Sequence, residues 1–361
     1  MTQRTALLAI SLAFLACSDG SGNNNNNNEE VKGNSLLLNF TSVYPETGEL
    51  RWMNPDSTAL SFGALSFDHD SKVFASGANI FVLESGLSNI SCIPAEKIGG
   101  IISQDTLEKG TYPYEVAVAG NTGYITFNAA ITDYIQTFNI NTCAIGEKIN
   151  LPIPQANAAS VKASGDTLLV LSQRLDGYTA TKPGLLIRIN TGTKALIDTI
   201  TLKFYNPHSA VLSDGKLYVS SQGAYNADYS VNTEVSGVEA VDLSTGTSEI
   251  IAAGVQLGGG SNGLALDKTN QILYVSVFME FGDQPVKPVN LTSKIVGAAL
   301  PNITDSFGGL VFDDVSGKLF VGDRDFSNPG VKIYNPATGA TTPVSGGDPL
   351  LPPSSLAIVR W

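Results

Sequence analysis

The chain has 361 residues and a formal net charge of −12, from 33 acidic and 21 basic side chains. That balance excludes the basic stripe that nucleic-acid binding depends on, and it equally excludes a polybasic hold on anionic lipid. With 43% apolar residues the chain can bury a large core, and its 36 Gly and 17 Pro fit many short strands joined by turns. Apolar spacing at i, i+3, i+4, i+7 is not sustained beyond the N-terminus, so helices should be scarce.

Residues 1–17 read MTQRTALLAISLAFLAC. One cation, Arg4, precedes an apolar run from Ala6 to Ala16 that has the length of a signal-peptide core and is too short to span a bilayer. The run stops at Cys17 after the small residue Ala16. This resembles the bacterial lipoprotein signal, with Phe14 where Leu is more usual. The resemblance implies lipidation of Cys17, and Ser18 in place of Asp implies onward sorting to an outer membrane. The expected address is therefore the cell envelope, with acyl chains supplying the membrane affinity. Residues 18–34 include six consecutive Asn and almost no apolar content. Such a segment cannot bury enough surface to fold and reads as a disordered tether.

From residue 35 onward a two-part pattern repeats. The stretch 37–53, LLNFTSVYPETGELRWM, carries the later part alone. The earlier part is an apolar run, a turn rich in Asp, Asn, Ser, Gly or Lys, then a second apolar run. It appears loosely at 64–75 (ALSFDHDSKVFA), 115–126 and 160–170, and clearly at 210–219 (AVLSDGKLYV), 264–275 (LALDKTNQILYV) and 310–321 (LVFDDVSGKLFV). The later part is a strand ending in Asp or Asn, a Thr-Gly-like turn and another strand. It follows at 81–93, 138–149, 186–197, 238–250 (VEAVDLSTGTSEI) and 331–342. The tail at 355–361, SLAIVRW, reads as a lone first strand.

Self-similarity with a period of roughly 40–50 residues marks a radial or solenoid array. Two hairpins per unit make four antiparallel strands, the content of one propeller blade. The reading is all-β: a seven-bladed β-propeller over 35–361, with six continuous blades and a seventh closed by pairing the C-terminal strand with N-terminal strands. Closure removes the exposed edges of an open sheet. The LYVS and LFVG strands with D-x-x-T-G turns resemble bacterial seven-bladed propellers of the YVTN, YncE-like and quinoprotein-dehydrogenase-like group. The resemblance implies the fold; members of that group include lactonases, cofactor-bearing redox enzymes and non-catalytic binding proteins, so it does not select a function.

Cys92 in SCIPAEKI and Cys143 in TCAIGEKI occupy matching places in neighbouring repeats. Equivalent outer-strand positions in adjacent blades should lie beyond the ~7 Å Cα limit of a disulfide, so no bond is expected. Paired carboxylates at Asp68 with Asp70, and at Asp313 with Asp314, read as turn residues on the face away from the channel mouth. His69 reads as a solvated turn residue. GGGSNG at 258–263 precedes a strand, not a helix, and makes no phosphate cradle.

Residues facing the mouth come from the starts of the first strands and the loops after the second strands. That rule selects Tyr114, Glu115, Asn128, Arg174, His208, Gln222, Asn262, Asp323 and Arg324. Loops at 174–184, 222–237 and 278–288 are longer than a hairpin needs, and long loops tend to carry function. The second carries Tyr225 and Tyr229, aromatics with polar ends suited to recognition. The expected site is the rim these loops form, with His208, Arg174 and Arg324 beneath. No metal site and no cofactor are expected, since a lone His offers too few ligands.

Three functions fit: a lipid-anchored monomer binding a small molecule, glycan or envelope protein at its mouth; a periplasmic enzyme, either a lactonase-like hydrolase or a cofactor-dependent redox protein; and a scaffold using its blade edges. A tether, aromatic loops and the lack of a catalytic constellation favour binding.

Overall fold

The computed structural model describes residues 35–43, 47–60, 65–100, 102–128, 132–154, 156–177, 179–345 and 352–361. The signal-like segment with Cys17 and the Asn-rich tether lie outside the described residues. Among the described residues the regular structure is strand, apart from one α-helical turn at Gly254–Leu257 and three 3₁₀ turns.

Seven antiparallel sheets stand around one axis. Blade 1 is composite, ordered from the axis outward as Pro353–Arg360, Ser35–Val43, Thr47–Met53 and Leu65–Phe67. Blade 2 runs Ser71–Ser76, Asn79–Glu84, Asn89–Pro94, Ser103–Thr106, and blade 3 runs Pro113–Ala119, Thr122–Phe127, Tyr134–Asn139, Ile145–Asn150. Blade 4 is Ala158–Ser164, Thr167–Ser172, Pro183–Asn190, Leu196–Tyr205, and blade 5 is Pro207–Ser213, Lys216–Ser221, Gly237–Asp242, Ser248–Ala253. Blade 6 has Gly260–Asp267, Ile272–Phe278 and Val286–Asn290, its fourth strand shrunk to a bridge between Val289 and Val296. Blade 7 is Leu310–Asp313, Lys318–Asp323, Gly330–Asn335, Ala340–Pro343.

The second strands show why the ring forms. In Thr167–Ser172 and Lys216–Ser221 every residue after the first is buried. A strand buried on both faces reads as a continuous apolar run, and such a strand needs a neighbour on each side. The core is accordingly split into seven clusters, one in each gap between blades. Phe81, Leu83 and Ile90 of blade 2 meet Ile125, Phe127 and Phe138 of blade 3. At the seam, Phe320 and Ile333 of blade 7 meet Leu37 and Met53 of blade 1.

Closure is as the repeat predicts. Ser35–Val43 pairs antiparallel with Pro353–Arg360, placing Leu37 opposite Ile358 and Leu38 opposite Ala357. Ser355 Oγ accepts a hydrogen bond from the Val73 N–H of blade 2 at 2.8 Å, tying the tail forward as well.

The stretch 64–75 departs from the expected hairpin. Leu65–Phe67 is the outermost strand of blade 1, and the inner strand of blade 2 begins at Ser71. Blade 1 lacked a fourth strand without it. Gly48 opposite Phe67 and Leu50 opposite Leu65 supply the pairing.

The turns after the third strands of blades 3 to 7 share one geometry. Asn139, Asn190, Asp242, Asn290 and Asn335 each open a turn whose fifth residue has positive φ: Cys143 at 64°, Lys194 at 58°, Gly246 at 71°, Lys294 at 57° and Gly339 at 70°. The fifth N–H returns to the first carbonyl at 2.8 Å in all five. The opening side chain accepts from the N–H groups that follow, as an Asx turn does.

This geometry overturns the expectation for the cysteines. Cys92 and Cys143 form a disulfide, with Cα atoms 5.7 Å apart. The two are not equivalent: Cys92 lies within the third strand of blade 2, whereas Cys143 holds the left-handed position of the blade 3 turn. That position aims back across the gap. In blades 4 and 6 the same position holds Lys194 and Lys294, which reach back to Glu147 and Glu249 on the preceding blades.

Candidate functional site

The inner strands start at the end of the ring where the second strands finish. Pro113 is opposite Phe127, Ala158 opposite Ser172, and Pro207 opposite Ser221. A repeated lock sits there. Tyr112, Asn157 and Asn206, all left-handed, accept hydrogen bonds through their carbonyls from the N–H groups of Asn128, Gln173 and Gln222 at 3.0, 3.1 and 3.0 Å. Asn128 and Gln222 therefore occupy one repeated position. Asn128 is exposed, while Gln222 also accepts from Asn206 Nδ2 and donates to the Tyr225 hydroxyl.

Asp68, His69 and Asp70 also lie at this end and not at the far one. They link the outer strand of blade 1 to the inner strand of blade 2, where Ser71 is opposite Glu84 and the Asp68 N–H donates to the Glu84 carboxylate. His69 Nδ1 stands 2.9 Å from Asp68. Asp313 and Asp314 do fall in the turn at the opposite end.

Across the channel, side chains from three inner strands meet. Tyr114 of blade 3 reaches His208 of blade 5, its hydroxyl 3.1 Å from Nε2, and the Lys72 ammonium of blade 2 sits 3.4 Å from the Tyr114 ring centroid. The Asn262 backbone also contacts the ring and favours its protonated form. Burial first, then the nearby Lys72 charge, lowers the His208 pKa to about 4. His208 is thus held neutral at physiological pH. Lys72 carried no signal in the sequence, because the register of blade 2 was misplaced there.

Two sequence-selected acids hold the frame. Glu115 accepts from the Val161 N–H at 2.7 Å and pairs with Lys162 at 2.5 Å, bridging blades 3 and 4. Asp323 is fully buried, paired with Lys332 at 2.5 Å, and accepts from the N–H groups of Thr304, Asp305 and Asp325. Asn262, also buried, donates through Nδ2 to Gln284 at 2.9 Å, joining inner strand to loop within blade 6.

The rim is lopsided. The loop of blade 4 folds into a small hairpin, Leu175–Asp176 with Thr179–Ala180, and that of blade 5 into Ala224–Tyr225 with Val231–Asn232. The two hairpins touch. Arg174, at a left-handed φ of 54°, donates to the Pro183 carbonyl and lines a cleft of about 370 Å³ with Ile153, Pro154, Leu175, Asp176, Thr181 and Lys182. That cleft is on blade 4, apart from His208.

Farther round, aromatic rings run from blade 5 to blade 7. Tyr225 packs edge-on to Phe278 at 6.4 Å, and Phe278 to Phe281 at 5.6 Å. Gly282, at φ +83°, lets the turn lie against Phe326, where an added Cβ would come within 3.2 Å of that ring. The Arg324 guanidinium lies 5.3 Å from the Phe307 centroid. Phe281 is 88% exposed, Phe326 94% and Tyr229 87%. The structure thus brings Gln222, Tyr225 and Arg324 into one rim, leaves Asn128 and Arg174 apart from it, and adds Phe281, Phe307 and Phe326. Phe326 stood in DFSNPG after a second strand, a turn string with an apolar residue that no core requires.

No protein-family model and no curated protein matches the chain. Solved structures do. A chain of hydrazine synthase from Kuenenia stuttgartiensis matches at 12% identity and TM-score 0.65, covering 82% of this chain and 95% of that one. A candidate 6-phosphogluconolactonase from Bacteroides fragilis matches at 14% identity and TM-score 0.66, covering 92% and 99%. Apo AztD from Citrobacter koseri matches at 13% identity and TM-score 0.55, covering 90% and 98%. At such identities the likeness is one of fold.

Proposed function

We propose that this chain is a lipid-anchored cell-envelope propeller, of the YVTN-like kind its strands resemble, that captures a ligand or partner at the mouth rim over blades 5 to 7. One observation carries the reading: Tyr229, Phe281 and Phe326 stand 87%, 88% and 94% exposed on neighbouring loops of one face. They stand with the ring chain of Tyr225, Phe278 and Phe281 on the same rim, and exposed apolar groups gathered on one rim suit an interaction site. The signal-like segment ending in Cys17 and the Asn-rich tether support the anchor. The Cys92–Cys143 disulfide supports an oxidising compartment.

Capture is favoured over hydrolysis by the state of the polar groups. A general base must reach a substrate proton, and His208 Nε2 is engaged by the Tyr114 hydroxyl at 3.1 Å. Glu115 and Asp323 are ion-paired across strands. A thermal-shift ligand screen tests the reading. Hits should lose their shift in a Phe281→Ala, Phe326→Ala variant; a hit indifferent to that pair and to Arg174→Ala with His208→Ala would refute it. Cys17→Ser should release the protein from membranes.

A further inference from the structure

We infer that the occupant of this rim is a basic, arginine-bearing segment of a partner protein, an inference that rests on the capture reading above. The aromatic rings are interleaved with carboxylates. Glu280 and Asp283 flank Phe281 and Gly282 in one tight turn closed by their mutual bridge. Asp325 precedes Phe326, and Asp228 precedes Tyr229 at the hairpin tip. Asp228 and Asp325 both have pKa values lowered by hydrogen bonds, from Ser230 and chiefly from the Ser327 N–H respectively, so both are charged at neutral pH.

A ring face attracts a cation, and a planar guanidinium can stack on it while donating to a neighbouring carboxylate. The molecule already shows the ring half of this contact on the same face, where the Arg324 guanidinium lies over Phe307. Burial lowers the Arg324 pKa, and the nearby Asp305 charge opposes that fall. An incoming arginine would find a ring with a carboxylate next to it in sequence at Phe281 beside Glu280 and at Phe326 beside Asp325. Those rings are free of the interblade cores, so their faces are available. The chain's net charge of −12 brings a basic partner in from a distance, and the rings supply the local preference.

The probe is a labelled oligo-arginine peptide, titrated against the purified full chain by fluorescence anisotropy, with oligo-lysine and oligo-glutamate of equal length alongside. Oligo-arginine should bind saturably, oligo-lysine more weakly and oligo-glutamate not at all. Phe281→Ala with Phe326→Ala, which changes no charge, should weaken oligo-arginine about tenfold. Glu280→Gln with Asp283→Asn should weaken it and flatten its salt dependence. If the alanine pair disturbs the thermal midpoint, Phe281→Leu with Phe326→Leu keeps the apolar bulk without the ring face and should show the same loss. Oligo-arginine binding that ignores the ring substitutions is charge alone and overturns the inference. So does a non-basic ligand from the screen whose binding needs both rings, though that result would leave capture at the rim standing.

Discussion

Cleaving the Cys92–Cys143 bond tests the interblade latch directly. The bond spans 51 residues of sequence. In the chain-entropy account a loop of that size restricts the unfolded state by about 4 kcal/mol at 25 °C. Spread over an unfolding entropy of about 2.1 cal/mol/K per residue for the propeller, that corresponds to a fall in Tm of about 6 °C. The Cys143→Gly variant should lose less than Cys143→Ala, because φ is 64° there and Gly adopts it without strain. The assay is a thermal melt with and without dithiothreitol, for the native chain and for Cys92→Ala with Cys143→Ala. Reductant should lower the native midpoint and leave the double variant unmoved. A non-reducing digest should yield one cross-linked peptide pair holding both residues. Free thiols at both positions in oxidised protein, or a native midpoint indifferent to reductant, would refute the latch.

Other outcomes follow from the same geometry. His208 titrates near 4 in the fold against 6.5 when free, so the unfolded chain binds the extra proton between those values. Its stabilising contribution is intact above pH 6.5 and is lost as pH falls toward 4, by at most about 3 kcal/mol. Urea midpoints of the native chain should therefore fall more steeply over that window than those of His208→Gln. Lys332→Met strands Asp323 without its cation in a fully buried position and should cost about 3–5 kcal/mol by chemical denaturation; Asp323→Asn added to it should recover part of the loss. Removing Pro353–Arg360 unpairs Ser35–Val43 along its whole inner edge, and should abolish cooperative melting while promoting oligomers on size-exclusion chromatography.

The ring was legible because its second strands are apolar on both faces, a local property that any one strand displays. Loop length was legible as well, and two of the long loops fold into small hairpins of their own. Pair chemistry was not. Asp323 and Glu115 read only as mouth-facing acids in sequence, yet Lys332 and Lys162 reach them from other strands. The cysteines misled through flanking similarity: CIPAEKI and CAIGEKI align as text, but one is strand and the other is a left-handed turn. A shift of a few residues in blade 2 likewise hid Lys72 and turned Asp68 and Asp70 to the wrong end.

The turn residue that carries the latch also explains how a ring of unlike blades holds one shape. In blades 3, 4 and 6 the Asn-opened turn delivers its fifth residue, in a left-handed conformation, to a partner on the blade before it. A thiol there bonds Cys92, and a lysine there pairs with Glu147 or Glu249. The backbone supplies the aim and the side chain supplies only the bond type. Three of the gaps are thus tied at the rim opposite the mouth, in addition to the seven cores that fill every gap. Nothing in that scheme uses Phe281, Phe326 or Tyr229, which belong to none of the cores. Exposed rings that contribute nothing to closure still cost solubility, and that cost is the ground for proposing that a partner docks on them.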